Sequence, residues 1–162
     1  MKKALALMLA AVLALPLAAC SDRRDYSTDF TGMLNITSFD MTEDDAIALE
    51  DGADYETEEL GDSRLLTFDN GHIYRFSVKD GSFEFVKWRL PDHMIDAGLE
   101  TWEIVIEEVL ASWSDTYGKP EVNEKIDLYS WYGNVNGEHA SLSVERGIKN
   151  LTPSMMELDR VD

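Results

Sequence analysis

RLLTFDNGHIYRFSVKDGSFEFVKWRL, residues 64–90, is the stretch on which the fold turns. Asn70-Gly71 and Asp80-Gly81 each separate runs rich in aromatic and branched residues, the pattern of type I′ hairpin turns. A three-strand antiparallel meander is expected. With two-residue turns, Phe68 faces Ile73, Leu65 faces Phe76, and Phe76 faces Phe85. One face then collects Leu65, Tyr74, Phe76, Val78, Phe83 and Phe85 and is the expected core. The other still holds Leu66, Phe68, Ile73, Val86 and Trp88, which is too apolar for a solvated face. That second face is covered by another element or open to a partner.

Elements on both sides of the meander follow from capping and periodicity. Upstream, Thr42 is placed as an N-cap, with Glu43, Asp44 and Asp45 in a first turn that favours acids. Ala46, Ile47 and Leu49 continue a short helix that Gly52 can close. Downstream of Pro91-Asp92, Leu99, Trp102, Ile106, Val109 and Trp113 recur at helical spacing, with Leu110 and Tyr117 beside them. Glu100, Glu103, Glu107 and Glu108 form the polar side, so a helix over 95–117 is expected. Gly118 fits the position after a helix end and Pro120 prevents its resumption. The tryptophans read as core packed on the sheet.

KIDLYSWY (125–132) and HASLSVERG (139–147) alternate and read as a last hairpin, joined by a longer loop through Gly133-Asn134-Val135-Asn136-Gly137. Thr152-Pro153 opens an expected short helix through Leu158. The fold class is therefore α+β: an antiparallel meander and a hairpin packed against one long amphipathic helix. GHIYRFSVKDG (71–81) echoes GEHASLSVERG (137–147), so two pseudo-repeated helix-plus-sheet units are also considered.

The N-terminus, MKKALALMLAAVLALPLAAC, has a charged start at Lys2 and Lys3, an apolar run from Ala4 to Leu15, a Pro16 break and small residues before Cys20. Those are the parts of a secretory signal, too short to span a membrane comfortably. Leu17-Ala18-Ala19-Cys20 resembles the lipobox of bacterial lipoproteins. The resemblance implies cleavage between Ala19 and Cys20, with acyl chains on Cys20. Several chains, at ~0.8 kcal/mol per buried CH₂, hold a protein stably on a membrane. Ser21 rather than aspartate after the cysteine implies outer-membrane sorting, facing the periplasm, in a Gram-negative cell. The expected organisation is a signal peptide over 1–19, a lipidated cysteine and tether over 20–30, and a single domain over 31–162. Cys20 is the only cysteine, so the mature fold has no thiol for a disulfide or for catalysis.

Without residues 1–19 the chain has 143 residues, and 12 basic against 32 acidic side chains give a net charge of −20. Such a surface disfavours nucleic acid and anionic headgroups, and suits a basic protein or divalent cations. Between Asp25 and Ser63 there are thirteen Asp or Glu and no Lys or Arg. Asp51, Asp54, Glu56, Glu58 and Glu59 read as a charged solvated loop, since no glycine falls in the register of a calcium-binding loop. His72, His93 and His139 are isolated, and no HExxH pattern, GxSxG elbow or glycine-rich phosphate loop occurs. With 32 carboxylates, no pair stands out for glycoside cleavage. Asn35-Ile36-Thr37 and Asn150-Leu151-Thr152 read as loop residues.

No catalytic, metal or cofactor site is therefore expected, and the chain reads as a non-enzyme. The candidate partner-binding residues are Trp88, Phe68, Ile73 and Val86 on the meander, with Tyr129 and Trp131 on the last hairpin, because such aromatics dominate interfaces. Tyr117-Gly118-Lys119-Pro120 before two strands resembles small α+β lipoproteins of the outer-membrane assembly type, and tandem-repeat proteinaceous inhibitors of secreted enzymes. This chain departs from the assembly factors in having strands between its two helices. The expected function is a lipid-anchored, non-catalytic envelope protein that binds a protein partner. The alternative is an acidic inhibitor or immunity-type protein that neutralises a basic enzyme such as a cell-wall hydrolase.

Overall fold

Eight strands form one antiparallel sheet in the computed structural model, which describes residues 24–89, 99–146 and 155–161. After a 3₁₀ turn at Met33–Asn35 comes α1 (Glu43–Leu49), then β1 (Tyr55–Leu60), β2 (Ser63–Phe68), β3 (His72–Ser77) and β4 (Phe83–Arg89). The long helix α2 (Leu99–Tyr117) leads to β5 (Glu121–Asn123), β6 (Leu128–Val135), β7 (Glu138–Glu145) and β8 (Met155–Arg160). In α2 the side chains are described from 104 onward. The strand order is β1-β2-β3-β4-β8-β7-β6-β5. The architecture is α+β and mostly sheet. The first meander and the last hairpin are parts of one continuous surface, joined by β8.

β8 occupies residues 155–160, where a helix was expected. The MMELDR stretch favours a helix by only tenths of a kcal/mol per residue. As a central strand it pairs with β4 on one side and β7 on the other, and buries Leu158 completely. That burial alone contributes about 1.5–3 kcal/mol, which outweighs propensity. Thr152-Pro153 lies outside the described residues. β1 is the second unexpected strand. YETEEL reads as an acidic linker, yet it pairs along its length with β2. All six residues are exposed, and charge on an edge strand resists edge-to-edge association.

Thr42 caps α1 as expected: the Asp45 amide donates to its Oγ1 (3.2 Å), and the Thr42 amide donates to Asp45 Oδ2 (2.9 Å). The reciprocal pair satisfies two amides at the helix start.

Turn lengths set which face each side chain takes. Phe68 and His72 flank a three-residue loop, 69–71, closed by the Gly71 amide donating to the Phe68 carbonyl (3.0 Å). Gly71 sits at φ 98°, the left-handed residue that such loops require. Thr67 rather than Phe68 therefore faces Ile73, and Leu65 faces Arg75. The second turn holds four residues, 78–81, between Ser77 and Ser82, whose backbones bond (2.8 Å). Glu84 is then the extra residue of a β-bulge, since Phe76 faces Phe83 while Arg75 faces Phe85. By contrast, the loop expected to be long is a two-residue Asn136-Gly137 turn, with φ of 51° and 88°.

One row of directly opposed residues shows the resulting core: Leu66, Tyr74, Val86, Leu158, Leu142 and Trp131, all buried. Phe68, Phe76, Phe83, Ala140 and Val144 join them from the same side of the sheet. Ala46 of α1, Ile106 and Leu110 of α2, and Phe30, Ile36 and Phe39 of the N-terminal segment cover that side. Trp113 meets Trp131 edge-on at 5.6 Å, and Trp131 Nε1 donates to the Gly118 carbonyl (2.7 Å), which ties the end of α2 to β6. The expected core face is thus half right. Tyr74, Phe76 and Phe83 are buried, whereas Leu65 and Phe85 lie on the opposite face and Val78 is exposed in its loop.

Residues 24–30, part of the expected tether, pack as a strap around the β6 edge. The Asn134 amide donates to Thr28 O and the Phe30 amide to Asn134 O (both 2.7 Å), and Phe30 is fully buried.

Candidate functional site: the open face of the sheet

Successive residues of a strand point to opposite faces, so the buried row fixes what lies on the other side. Its central row runs Leu65, Arg75, Phe85, Asp159, Ser141, Tyr132; the next runs Thr67, Ile73, Lys87, Glu157, Ser143, Ser130. All are partly exposed, and no helix covers this face among the described residues.

Phe85 stands at the centre between two cations. The Arg75 guanidinium carbon lies 5.3 Å from its ring centroid and Lys87 Nζ 4.7 Å, a cation–π arrangement on both flanks. Each cation also meets a carboxylate: Arg75 Nε pairs with Glu84 Oε2 (2.6 Å), and Lys87 Nζ with Glu157 Oε2 (2.8 Å). The bulge at Glu84 makes this possible, because it turns Phe85 outward and leaves Phe83 and Val86 inward. The positive charge is therefore spent within the face, and its carboxylates are left in excess.

Asp159 is the perturbed one. Burial, and after it the nearby Glu157 carboxylate, pushes its carboxyl up to about 6, against partial relief from the Arg160 amide and Lys87. The folded state then holds this proton more tightly than the unfolded chain. Stability from this group is complete below pH 4 and declines as pH rises through about 6. Asp159→Asn is expected to flatten urea midpoints between pH 4 and 6, and to stabilise the domain at pH 7 by about 1–2 kcal/mol after solvent screening. An unchanged pH profile would refute this assignment.

At the β6 end the strap crosses the same face. The Arg24 guanidinium lies 4.2 Å over the Tyr132 ring, with Glu121 at 3.8 Å. Tyr26 stacks on His139 at 4.0 Å and meets Tyr132 edge-on at 6.0 Å. Asn134 Nδ2 donates to the Tyr26 and Thr28 carbonyls (2.9 and 3.1 Å) and holds the crossing in place.

The six residues expected to form a partner patch do not share a surface. Phe68, Val86 and Trp131 belong to the core; Trp88 and Tyr129 pack partly buried on the same side, with Arg146 over the Tyr129 ring. Only Ile73 faces the open side. On the meander the cause is the one-residue register change at the first turn and the bulge at Glu84. Sequence reasoning missed Arg75, Lys87, Tyr132 and Asp159. The period-two alternation of Ile73, Arg75 and of Phe85, Lys87 was a usable signal, whereas Asp159 was hidden in an expected helix.

Away from this face, Glu50 is buried at the end of α1 among Asn70, His72 and Tyr74. Both of its oxygens are engaged by these three side chains. No group of three or more metal-ligating side chains with suitable geometry occurs among the described residues. Cys20, Ala19 and His93 lie outside them.

No family model matches the chain, and no curated protein or solved structure is significantly similar to it.

Proposed function

We propose that this chain is a lipid-anchored cell-envelope protein that acts without catalysis, by binding a protein partner on the open face of its sheet. The observation that carries the reading is the face that the described residues leave uncovered, with Phe85 held between Arg75 and Lys87 and flanked by Leu65 and Ile73. A hydrophobic centre inside a polar ring is the usual anatomy of a binding patch. The Leu17-Ala18-Ala19-Cys20 motif supplies the anchor, on the outer membrane facing the periplasm in a Gram-negative cell. The order α1-β1-β2-β3-β4 then α2-β5-β6-β7-β8, with strand order identical from either edge, supports two pseudo-repeated helix-plus-sheet units.

Charge favours one second reading, an acidic inhibitor of a basic enzyme such as a cell-wall hydrolase. The mature chain carries −20, and the cations of the face are already neutralised. Oppositely charged surfaces associate fast and lose that speed in salt.

Crosslinking of the lipidated protein in its own envelope tests both readings. A Phe85→Ser, Ile73→Ser double variant should fold and lose the crosslinked species, whereas an Ala111→Ser variant on α2 should keep it. Capture that collapses in high salt favours the inhibitor. Equal capture by the double variant refutes the open face as the docking surface.

A further inference from the structure

Resting on the lipid anchor at Cys20, we infer that the strap from Arg24 to Phe30 orients the domain, holding the open face on the bilayer side, so that the partner it takes is a protein seated in or on the same membrane.

Chain length limits how the domain can sit. Arg24 is already docked on the domain, over Tyr132 and beside Glu121. Tyr132 follows the buried Trp131, so it and Arg24 belong to the open face. Only four peptide steps separate Arg24 from Cys20, a reach of at most about 14 Å fully extended. On the far side of the sheet lies the helix layer, about 10 Å from sheet to helix axis and about 5 Å more to its outer surface. With the strap raised above the sheet, a helices-down orientation would set Arg24 about 20 Å above the bilayer. Four residues do not span that height. The orientations that remain tilt the open face toward the membrane, with the β5–β6 end nearest the lipid. The edge strand β1, with Glu56, Glu58 and Glu59 exposed, then lies seven strand spacings away, about 34 Å across the sheet.

The pinning is specific. Four hydrogen bonds with Asn134, the Tyr26–His139 stack and the buried Phe30 ring hold the strap down. A polar tether free from 20 to 30 would reach more than twice as far and impose no orientation.

Single cysteines carrying a fluorophore test the proposal in the purified, lipidated full chain on phosphatidylethanolamine–phosphatidylglycerol vesicles. Cys20 is consumed by lipid, so each added thiol is unique. Ser130→Cys reports the open face and Ser112→Cys the outer side of α2. A headgroup-borne quencher should quench the Ser130 probe about threefold more than the Ser112 probe, given the height difference of about 20 Å. A twenty-residue Gly-Ser insertion after Ser21 should bring the two to parity. Equal quenching, or stronger quenching at Ser112, in a chain that does bind vesicles overturns the orientation alone. A chain that carries no acyl group and does not bind vesicles overturns the anchor, and the orientation with it.

Discussion

Gly133→Ala is expected to cost about 3 kcal/mol of unfolding free energy, from a change of a single methyl group. Gly133 does not owe its identity to backbone conformation; it owes it to space. A Cβ there would overlap the Thr28 carbonyl oxygen and lie 2.7 Å from Phe30 Cε2 and 2.9 Å from Phe30 Cζ. The oxygen cannot retreat cheaply, because it accepts from the Asn134 amide (2.7 Å). The ring cannot retreat either, since Phe30 is fully buried and meets Tyr117 edge-on at 5.2 Å. The strap must lift, and Phe30 leaves the core with it. Truncating a buried Phe costs about 3–5 kcal/mol, so Phe30→Ala should match Gly133→Ala, and the double variant should fall well short of the sum. Urea unfolding with tryptophan fluorescence reads all three. A Gly133→Ala protein within about 1 kcal/mol of the parent would show that the strap does not bear on the core. On the proposed lipid anchor the same variant should also relax the proposed orientation.

Where the sequence was legible, the signal was local. The Thr42 cap, the glycine after α2 and the alternation of β6 and β7 each follow from residues a few positions apart. What stayed hidden depended on counting. An Asn-Gly pair marks a hairpin without giving its length, and one residue more at 69–71 transfers Leu65 from the core to the open face. The Glu84 bulge does the same to Phe85. β8 was obscured for another reason: a strand buried in the middle of a sheet is stabilised by neighbours distant in sequence, and MMELDR carries no record of them. The open face was legible only as an excess, since the meander has more apolar residues than one core face can use.

Glu50 illustrates the limit most sharply, and its replacement is the other large effect expected. Thirteen acidic residues lie between Asp25 and Ser63, and nothing local distinguishes Glu50 from the rest. It ends α1, and its side chain is 2 % exposed. Asn70 Nδ2 donates to Oε2 (2.6 Å), His72 Nδ1 lies 3.1 Å from the same oxygen, and the Tyr74 hydroxyl donates to Oε1. His72 and Tyr74 are two residues apart, so β3 presents both to one side, Asn70 reaches in from the loop before it, and together they replace the water the carboxylate has lost. Burial, then the bond to Glu50, raises the Tyr74 hydroxyl far above its ordinary range, so it remains a donor throughout the accessible pH range. Glu50→Ala should cost about 3 kcal/mol or more, because it strands a tyrosine hydroxyl inside the protein and unties α1 from the sheet. Tyr74→Phe should cost less, about 1–2 kcal/mol, since Glu50 keeps its other two partners. The double variant decides between a paired network and two separate packing losses. A coupling of about 1 kcal/mol or more, with the double less harmed than the sum, is the network result. Strict additivity would mean that the hydroxyl and the carboxylate do not depend on each other, and that α1 is held by Ala46 and its apolar neighbours alone.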